Sequence, residues 1–223
     1  VTRAGRVSNG DPGLWADSHI GPMSALVSEM KRYGAKTAIQ ISHGGRKGGQ
    51  QRAHHGNGPI GERDLAAGDE PLFPMGASAV PLSDGWLVPV ALSEAEIEGI
   101  IDAFVAGARR AILAGFDLLE LHLAHGYLLQ SFLSPIANHR QDQWGGSLEN
   151  RMRLPLTIVR RLRAIMPAAM PLFARLSVTD WIEGGWTSED SIILAGELKA
   201  AGVDLIDCSS GGNMRQGATN SNL

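Results

Sequence analysis

Two imidazoles and a phenol fall within six residues, in the run His122-Leu123-Ala124-His125-Gly126-Tyr127. Two hydrogen-bond donors and a proton donor at this spacing are equipment to polarise a carbonyl and protonate a carbon beside it. The preceding run, Gly115-Phe116-Asp117-Leu118-Leu119-Glu120-Leu121, is short, apolar and bounded by glycine, as a buried parallel strand would be. The trio is therefore expected just past that strand's C-terminal end, where open α/β sheets and (β/α)-barrels both bind ligands. His122 and His125 are also competent metal ligands. The chain has no HExxH and no CxxC, and no third ligand is apparent in its sequence. Carbonyl binding is favoured, and no metal is assigned.

The surrounding elements follow from periodicity and caps. His19 to Tyr33 reads as a helix with Leu26, Val27 and Met30 inward and Gly34 closing it. Residues 36–41 form a strand that ends in Ser42-His43-Gly44-Gly45-Arg46-Lys47. A long irregular segment spans about Gly48 to Leu92, with short structure expected around Ala77-Ser78-Ala79-Val80. Ser93-Glu94-Ala95-Glu96 is a capping box for a helix whose stripe is Ile97, Ile100, Ile101, Phe104, Val105 and Ala108. After the histidine-bearing strand come a polar loop over 134–147, a helix over 148–166 and a strand over 171–178. A last helix, 187–201, leads to a strand over 203–209.

Strands alternating with helices imply parallel pairing through right-handed crossovers, in one α/β domain over residues 1–223. Gly44-Gly45 and Gly48-Gly49 lack the GxGxxG spacing of an open dinucleotide fold. Polar residues instead recur at successive strand ends: Gln40, His122 with His125, Arg175, then Ser209-Ser210. That is the pattern of a (β/α)-barrel mouth, with about half of the eight strands accounted for.

Composition narrows the class. The chain has 223 residues, 43% hydrophobic and 19% charged, with a net charge of -3. This argues against a nucleic-acid surface or a basic membrane patch. Arg151, Arg153, Arg160, Arg161 and Arg163 read as the solvated face of a helix. One cysteine, Cys208, precludes an internal disulfide, and no apolar run is long enough to span a membrane. The sequence reads as soluble and cytoplasmic. It opens on Val1 and stops at Leu223 just past a strand-like run, as the middle of a longer protein would.

Gln40-Ile41-Ser42-His43-Gly44-Gly45-Arg46-Lys47 resembles the QLxHAGR segment of the Old Yellow Enzyme family of flavin-dependent ene-reductases. His122 to Leu128, Phe132-Leu133-Ser134-Pro135, Asn138, Arg140, Asp142, Gly145-Gly146-Ser147 and Glu149-Asn150-Arg151 are similar to that family's most diagnostic block. Phe173 to Ser177 and Val203 to Gly212 continue the match. The His-x-x-His form is similar to the bacterial thermophilic-like branch, which includes xenobiotic reductases.

The resemblance implies a (β/α)8 TIM barrel with FMN at its C-terminal mouth. This chain would supply an incomplete central portion, truncated at both ends relative to the family. Absent would be the first strand and the last two, whose glycines and arginine hold the FMN phosphate. A polypeptide of only this length would expose sheet edges and hold FMN weakly. Gln40 would bond the pyrimidine edge of the isoalloxazine, and Arg175 would sit near flavin N1 and O2. His122 and His125 would donate to the substrate oxygen, and Tyr127 would protonate the α-carbon.

The implied reaction moves hydride, drawn from NADPH or NADH, to the β-carbon of α,β-unsaturated carbonyl or nitro compounds. The implied partners are small activated alkenes, with room for a homo-oligomer. Alternatives are a dienoyl-CoA reductase-like member of the superfamily, a metal-dependent barrel hydrolase and a non-catalytic fragment. Trp181, Trp186, Phe73 and Trp86 could line a flat pocket but read first as packing.

Overall fold

The structure, a computed structural model, describes residues 1–56 and 58–214. Strands β1 (Ala38–Ile41), β4 (Leu118–Leu123), β5 (Leu172–Ser177) and β6 (Leu205–Ser209) form one parallel sheet in the order β1-β4-β5-β6. Helix α1 (Ile20–Arg32) leads into β1, and α3 (Glu94–Ala114), α5 (Leu148–Ile165) and α6 (Ser188–Ala200) provide the crossovers. α3 packs against α1 and α5, and α5 against α6. Two strands of two residues, β2 (Met75–Gly76) and β3 (Val90–Ala91), pair in parallel, and α2 (Glu62–Ala66) precedes them. The 48–92 segment thus carries its short structure beside, rather than at, the predicted Ala77–Val80. Among the described residues no helix is long and apolar enough to cross a membrane.

Strand alternation separates the two sheet faces. Leu119, Leu121 and Leu123 of β4, with Leu172, Ala174 and Leu176 of β5, are buried beneath the helices. They meet Ile97, Ile101, Phe104 and Ala108 of α3 and Ile158, Val159 and Leu162 of α5 in one core. Each of the larger side chains, the leucines, isoleucines, valine and phenylalanine, contributes roughly 1.5–3 kcal/mol when fully buried. The opposite face carries Gln40, Glu120, His122, Phe173, Arg175, Leu205 and Asp207, paired across the strands by register. It is the interior face of a barrel arc, where Gln40 is exposed, Glu120, Arg175 and Asp207 are half-buried and His122 is buried.

Local chemistry explains the boundaries. Ser93 Oγ accepts the Glu96 N–H while Glu96 accepts the Ser93 N–H at 2.7 Å, the predicted box. Gly115 closes α3 at φ 92°, which a side chain would resist. Thr187 and Asp190 form a second box at the start of α6.

Four expectations change. Val27 is buried, but Leu26 is 55% and Met30 43% exposed. Both line an open cleft of about 380 Å³ beside β1, whose outer edge has no described neighbour. The histidine strand begins at Leu118 and runs to Leu123, so His122 lies inside it. A helix missed in the sequence, α4 (Leu128–Leu133), follows; all six of its residues are buried, so it shows no amphipathic stripe. Of the α5 arginines only Arg160 and Arg161 are open. Arg151 donates to the Leu133 and Gly146 carbonyls, Arg153 to Gln143 and Arg163 to Met170, satisfying loop oxygens that lack a ladder partner.

Candidate active site

The sheet brings the residues together in rows. His122, Arg175 and Asp207 are register partners on β4, β5 and β6, and Gln40 and Glu120 lie opposite each other one row below. With strands about 4.8 Å apart, Arg175 and Gln40 are separated by roughly two strand spacings, on the two sides of β4.

His122 is 3% exposed, and neither ring nitrogen has a hydrogen-bond partner among the described residues. Its ring centroid lies 5.1 Å from that of His125 and 5.1 Å from that of Tyr127. Burial, then the nearby charges of His125, Arg175 and Lys47, hold its pKa at about 3. His122 is therefore neutral at physiological pH, one nitrogen donating and the other accepting. Two unsatisfied buried nitrogens are costly unless a ligand oxygen meets one of them.

His125 and Tyr127 are positioned by a turn that departs from helix and strand. His125 has φ 61°, a conformation costing a non-glycine residue roughly 1–3 kcal/mol. Its N–H donates to Ser177 Oγ at 3.0 Å, and its Nε2 lies 2.6 Å from Ser209 Oγ. Burial lowers its pKa, with Arg175 and Lys47 adding to the effect. Next to it Gly126, at φ 71°, has no room for a side chain: a Cβ would stand 2.3 Å from the Gly212 carbonyl oxygen. Tyr127 is the N-cap of α4. Burial, with a smaller contribution from Asp11, raises its pKa, so the phenol stays protonated.

Lys47, assigned no role in the sequence, lies over the Tyr127 ring at 5.8 Å. Burial, then Arg46, lowers its pKa to about 8. Its signal was available in the Gly45-Arg46-Lys47 run but was indistinguishable from a surface charge. Ser177, Ser209 and Asp207 were likewise unassigned, since a small polar residue in a strand announces no partner.

The two expected cofactor residues face the same open side. Gln40 donates to Glu120 Oε2 at 2.5 Å, leaving its carbonyl oxygen without a partner among the described residues. Arg175 has Asp207 Oδ2 3.4 Å from its Nε, but that nitrogen makes no hydrogen bond among the described residues. Asp207 of the neighbouring strand thus places a carboxylate beside this guanidinium. Trp186 is core, its Nε1 donating to Ser191, and Trp86 is also buried, while Trp181 and Phe73 are exposed. Among the described residues, the metal-like grouping of His, Cys, Asp and Glu is His55, Asp64 and Asp69, away from His122 and His125.

One consequence concerns pH. The unfolded chain protonates His122 near 6.5 and the folded chain near 3, so stability is intact above pH 6.5 and is lost as pH falls below it. The slope is roughly 1.4 kcal/mol per pH unit for one such group. The urea midpoint is expected to drop between pH 7 and pH 5, and less so in His122→Phe. Equal drops in both proteins would contradict this.

Neutral donors thus stand at the C-terminal mouth of a parallel βα arc, above a face offering amide and guanidinium groups. The profile of the NADH:flavin oxidoreductase / NADH oxidase family matches residues 1–221, and the chain belongs to that family.

Curated relatives agree. An NADPH dehydrogenase of Bacillus licheniformis is 40% identical over 211 residues, covering 95% of this chain and 56% of the relative. One of Halalkalibacterium halodurans is 42% identical over 211 residues, with the same coverages of 95% and 56%. The chain spans about half the length of these relatives. Among solved structures, 2-naphthoyl-CoA reductase with 2-naphthoyl-CoA superimposes with a TM-score of 0.80 at 32% identity, over 93% of this chain and 31% of that one. Morphinone reductase with tetrahydroNAD gives 0.75 at 27%, over 92% and 57%. The Old Yellow Enzyme homologue of Zymomonas mobilis gives 0.75 at 26%, over 92% and 56%. These neighbours extend beyond the region matched here, as expected of an incomplete barrel.

Proposed function

We propose that this chain carries the substrate-activating arc of an FMN-dependent, NAD(P)H-oxidising ene-reductase acting on α,β-unsaturated carbonyl or nitro compounds. Residues 1–223 would belong to a single FMN-binding barrel domain that continues on both sides in the family. The observation that carries the proposal is His122: a buried, neutral imidazole with both nitrogens unpartnered, flanked at 5.1 Å by the His125 and Tyr127 rings.

The donor set fits the flavin's pyrimidine edge, which alternates carbonyl oxygens with an N–H. The Gln40 carbonyl can accept from that N–H, and the Arg175 guanidinium can donate to the oxygen. When bound, FMN supplies the hydride that reaches the alkene β-carbon. His122 donates one N–H to the substrate's carbonyl or nitro oxygen. Ser209 donates to His125 Nε2, leaving Nδ1–H as the second donor. Charge growing on that oxygen meets two fixed dipoles, each worth roughly 3–4 kcal/mol. Tyr127 passes its proton to the α-carbon, and the Lys47 ammonium over its ring opposes the charge left on the phenolate.

A conjugated CoA thioester, the ligand named for the solved 2-naphthoyl-CoA reductase, is a second reading favoured by that structure's high similarity. Its carbonyl would use the same two donors.

Arg175 gives the test of the cofactor half. Arg175→Met removes the cation and leaves Asp207 facing the flavin edge. Because both side chains are more than a third exposed, the loss is set below that of a buried pair, at about 10-fold in FMN Kd. Asp207→Asn should move the Kd the other way. Fluorescence quenching of FMN measures both, and unchanged affinity in Arg175→Met would remove Arg175 from the site.

A further inference from the structure

Asp180 lies at the centre of a buried network that the proposed chemistry does not itself use. It is 1% exposed. Its Oδ1 accepts Gln130 Nε2 at 2.8 Å; its Oδ2 accepts Ser134 Oγ at 2.5 Å, the Trp186 N–H at 2.9 Å and Asn213 Nδ2 at 3.3 Å. Gln130 is 0% exposed, and its Oε1 accepts the Gly126 N–H at 2.5 Å. Gly126 is the residue between His125 and Tyr127.

On the far side, Asn213 accepts from Arg46 through both its main-chain and side-chain oxygens. One carboxyl group thus ties together the segment after β1, the turn after β4, the loop that Asp180 occupies after β5, and the loop after β6.

We infer that Asp180 is a positioning residue: through Gln130 it holds the left-handed turn at His125 and so aims the His125 and Tyr127 rings at the substrate. The argument is one of polarity. An amide has one acceptor and one donor end, and Asp180, an acceptor, fixes which end Gln130 turns to Gly126. With the Gln130 donor spent on Asp180, the carbonyl must face the Gly126 N–H. That bond and the bond from the His125 N–H to Ser177 grip two successive amides of the strained turn. Without them, the strained His125 backbone keeps only the Tyr127 N–H to Ala124 carbonyl bond across the turn and the side-chain contact to Ser209, and is freer to relax toward an ordinary conformation. The roles of the two rings rest on the function proposed above; the clamp on the turn does not.

The test is a polarity swap in the FMN-loaded protein. Asp180→Asn sets an amide N–H against donors, and Gln130→Glu sets two acceptors against each other. In the double variant, the carboxylate introduced at position 130 accepts from both the Gly126 N–H and the amide introduced at position 180, restoring the path in reverse. Each single variant should weaken binding of p-hydroxybenzaldehyde, read from the flavin band, by at least about 10-fold, with FMN affinity changed less than about 3-fold. The double variant should recover most of that loss. Single variants that lower only the melting temperature, or a double variant without recovery, would overturn the inference.

A second measurement needs no variant. The Gly126 amide of the wild-type protein should exchange with solvent at least about 100-fold more slowly than an exposed amide, and exchange at the free rate would overturn the clamp. If wild-type protein binds no phenolic aldehyde while Gly126 remains protected, the ene-reductase reading fails and the clamp stands.

Discussion

Replacing His122 with alanine should lower kcat/KM for alkene reduction by about 10²–10³-fold, the loss typical of one oxyanion-stabilising donor. The reasoning is geometric. His122 sits inside β4 rather than on a loop, its ring held by the sheet with two nitrogens committed to nothing else. Alanine removes a donor that no neighbour can replace, because the His125 Nε2 is already engaged with Ser209 at 2.6 Å. The fold should survive, since the deletion relieves two unsatisfied atoms even as it opens a void. Flavin reduction by NADPH is measured separately in single turnover and should fall far less than the alkene step. Unchanged alkene turnover would remove His122 from the mechanism.

Tyr127→Phe should cost about 10² in the alkene half-reaction, at the low end for a general acid because water can enter and substitute. The affinity for a phenolic ligand should stay near the wild-type value, as the hydroxyl is not one of the proposed carbonyl donors. That division separates Tyr127 from His122: the histidine variant loses binding and rate together, the tyrosine variant loses rate. Since burial raises the Tyr127 pKa, the wild-type rate should show no decline from tyrosine ionisation between pH 7 and 9. Stopped-flow oxidation of the reduced protein by cyclohexenone reads both effects. A rate in Tyr127→Phe equal to wild type would place the proton source elsewhere.

Much of the frame was legible because short-range rules governed it. The Ser93/Glu96 box, the α3 stripe and Gly115 mark α3 by chemistry local to its own residues. The four parallel strands stood out as apolar runs between helical periods. What escaped depends on tertiary surroundings. α4 is buried on every side, so no periodicity separates it from a loop. Leu26 and Met30 follow the helical period yet border an open cleft, because the edge of β1 beside them is bare. Cys208 lies on the helix-facing side of β6 by strand alternation, yet it is exposed, which alternation alone does not show.

The site divides the same way. The residue types of His122, His125, Tyr127, Gln40 and Arg175 and their strand-end positions were readable, and register places His122 and Arg175 side by side. That Asp207 would stand beside Arg175, Ser209 beside His125 and Lys47 over Tyr127 was not, because each pair joins separate segments. The left-handed backbone at His125 was hidden too, since the sequence shows a histidine where glycine would have signalled the turn.

The most direct test is a visible absorption spectrum of the purified whole protein, residues 1–223 together with the rest of the barrel, after mixing with FMN and removing the excess. The expected result is a retained yellow flavin band that NADPH bleaches without oxygen and cyclohexenone restores, with the restoring step slowed in His122→Ala. A retained flavin that NADPH bleaches but cyclohexenone leaves reduced would contradict the assignment of His122, His125 and Tyr127 to alkene reduction.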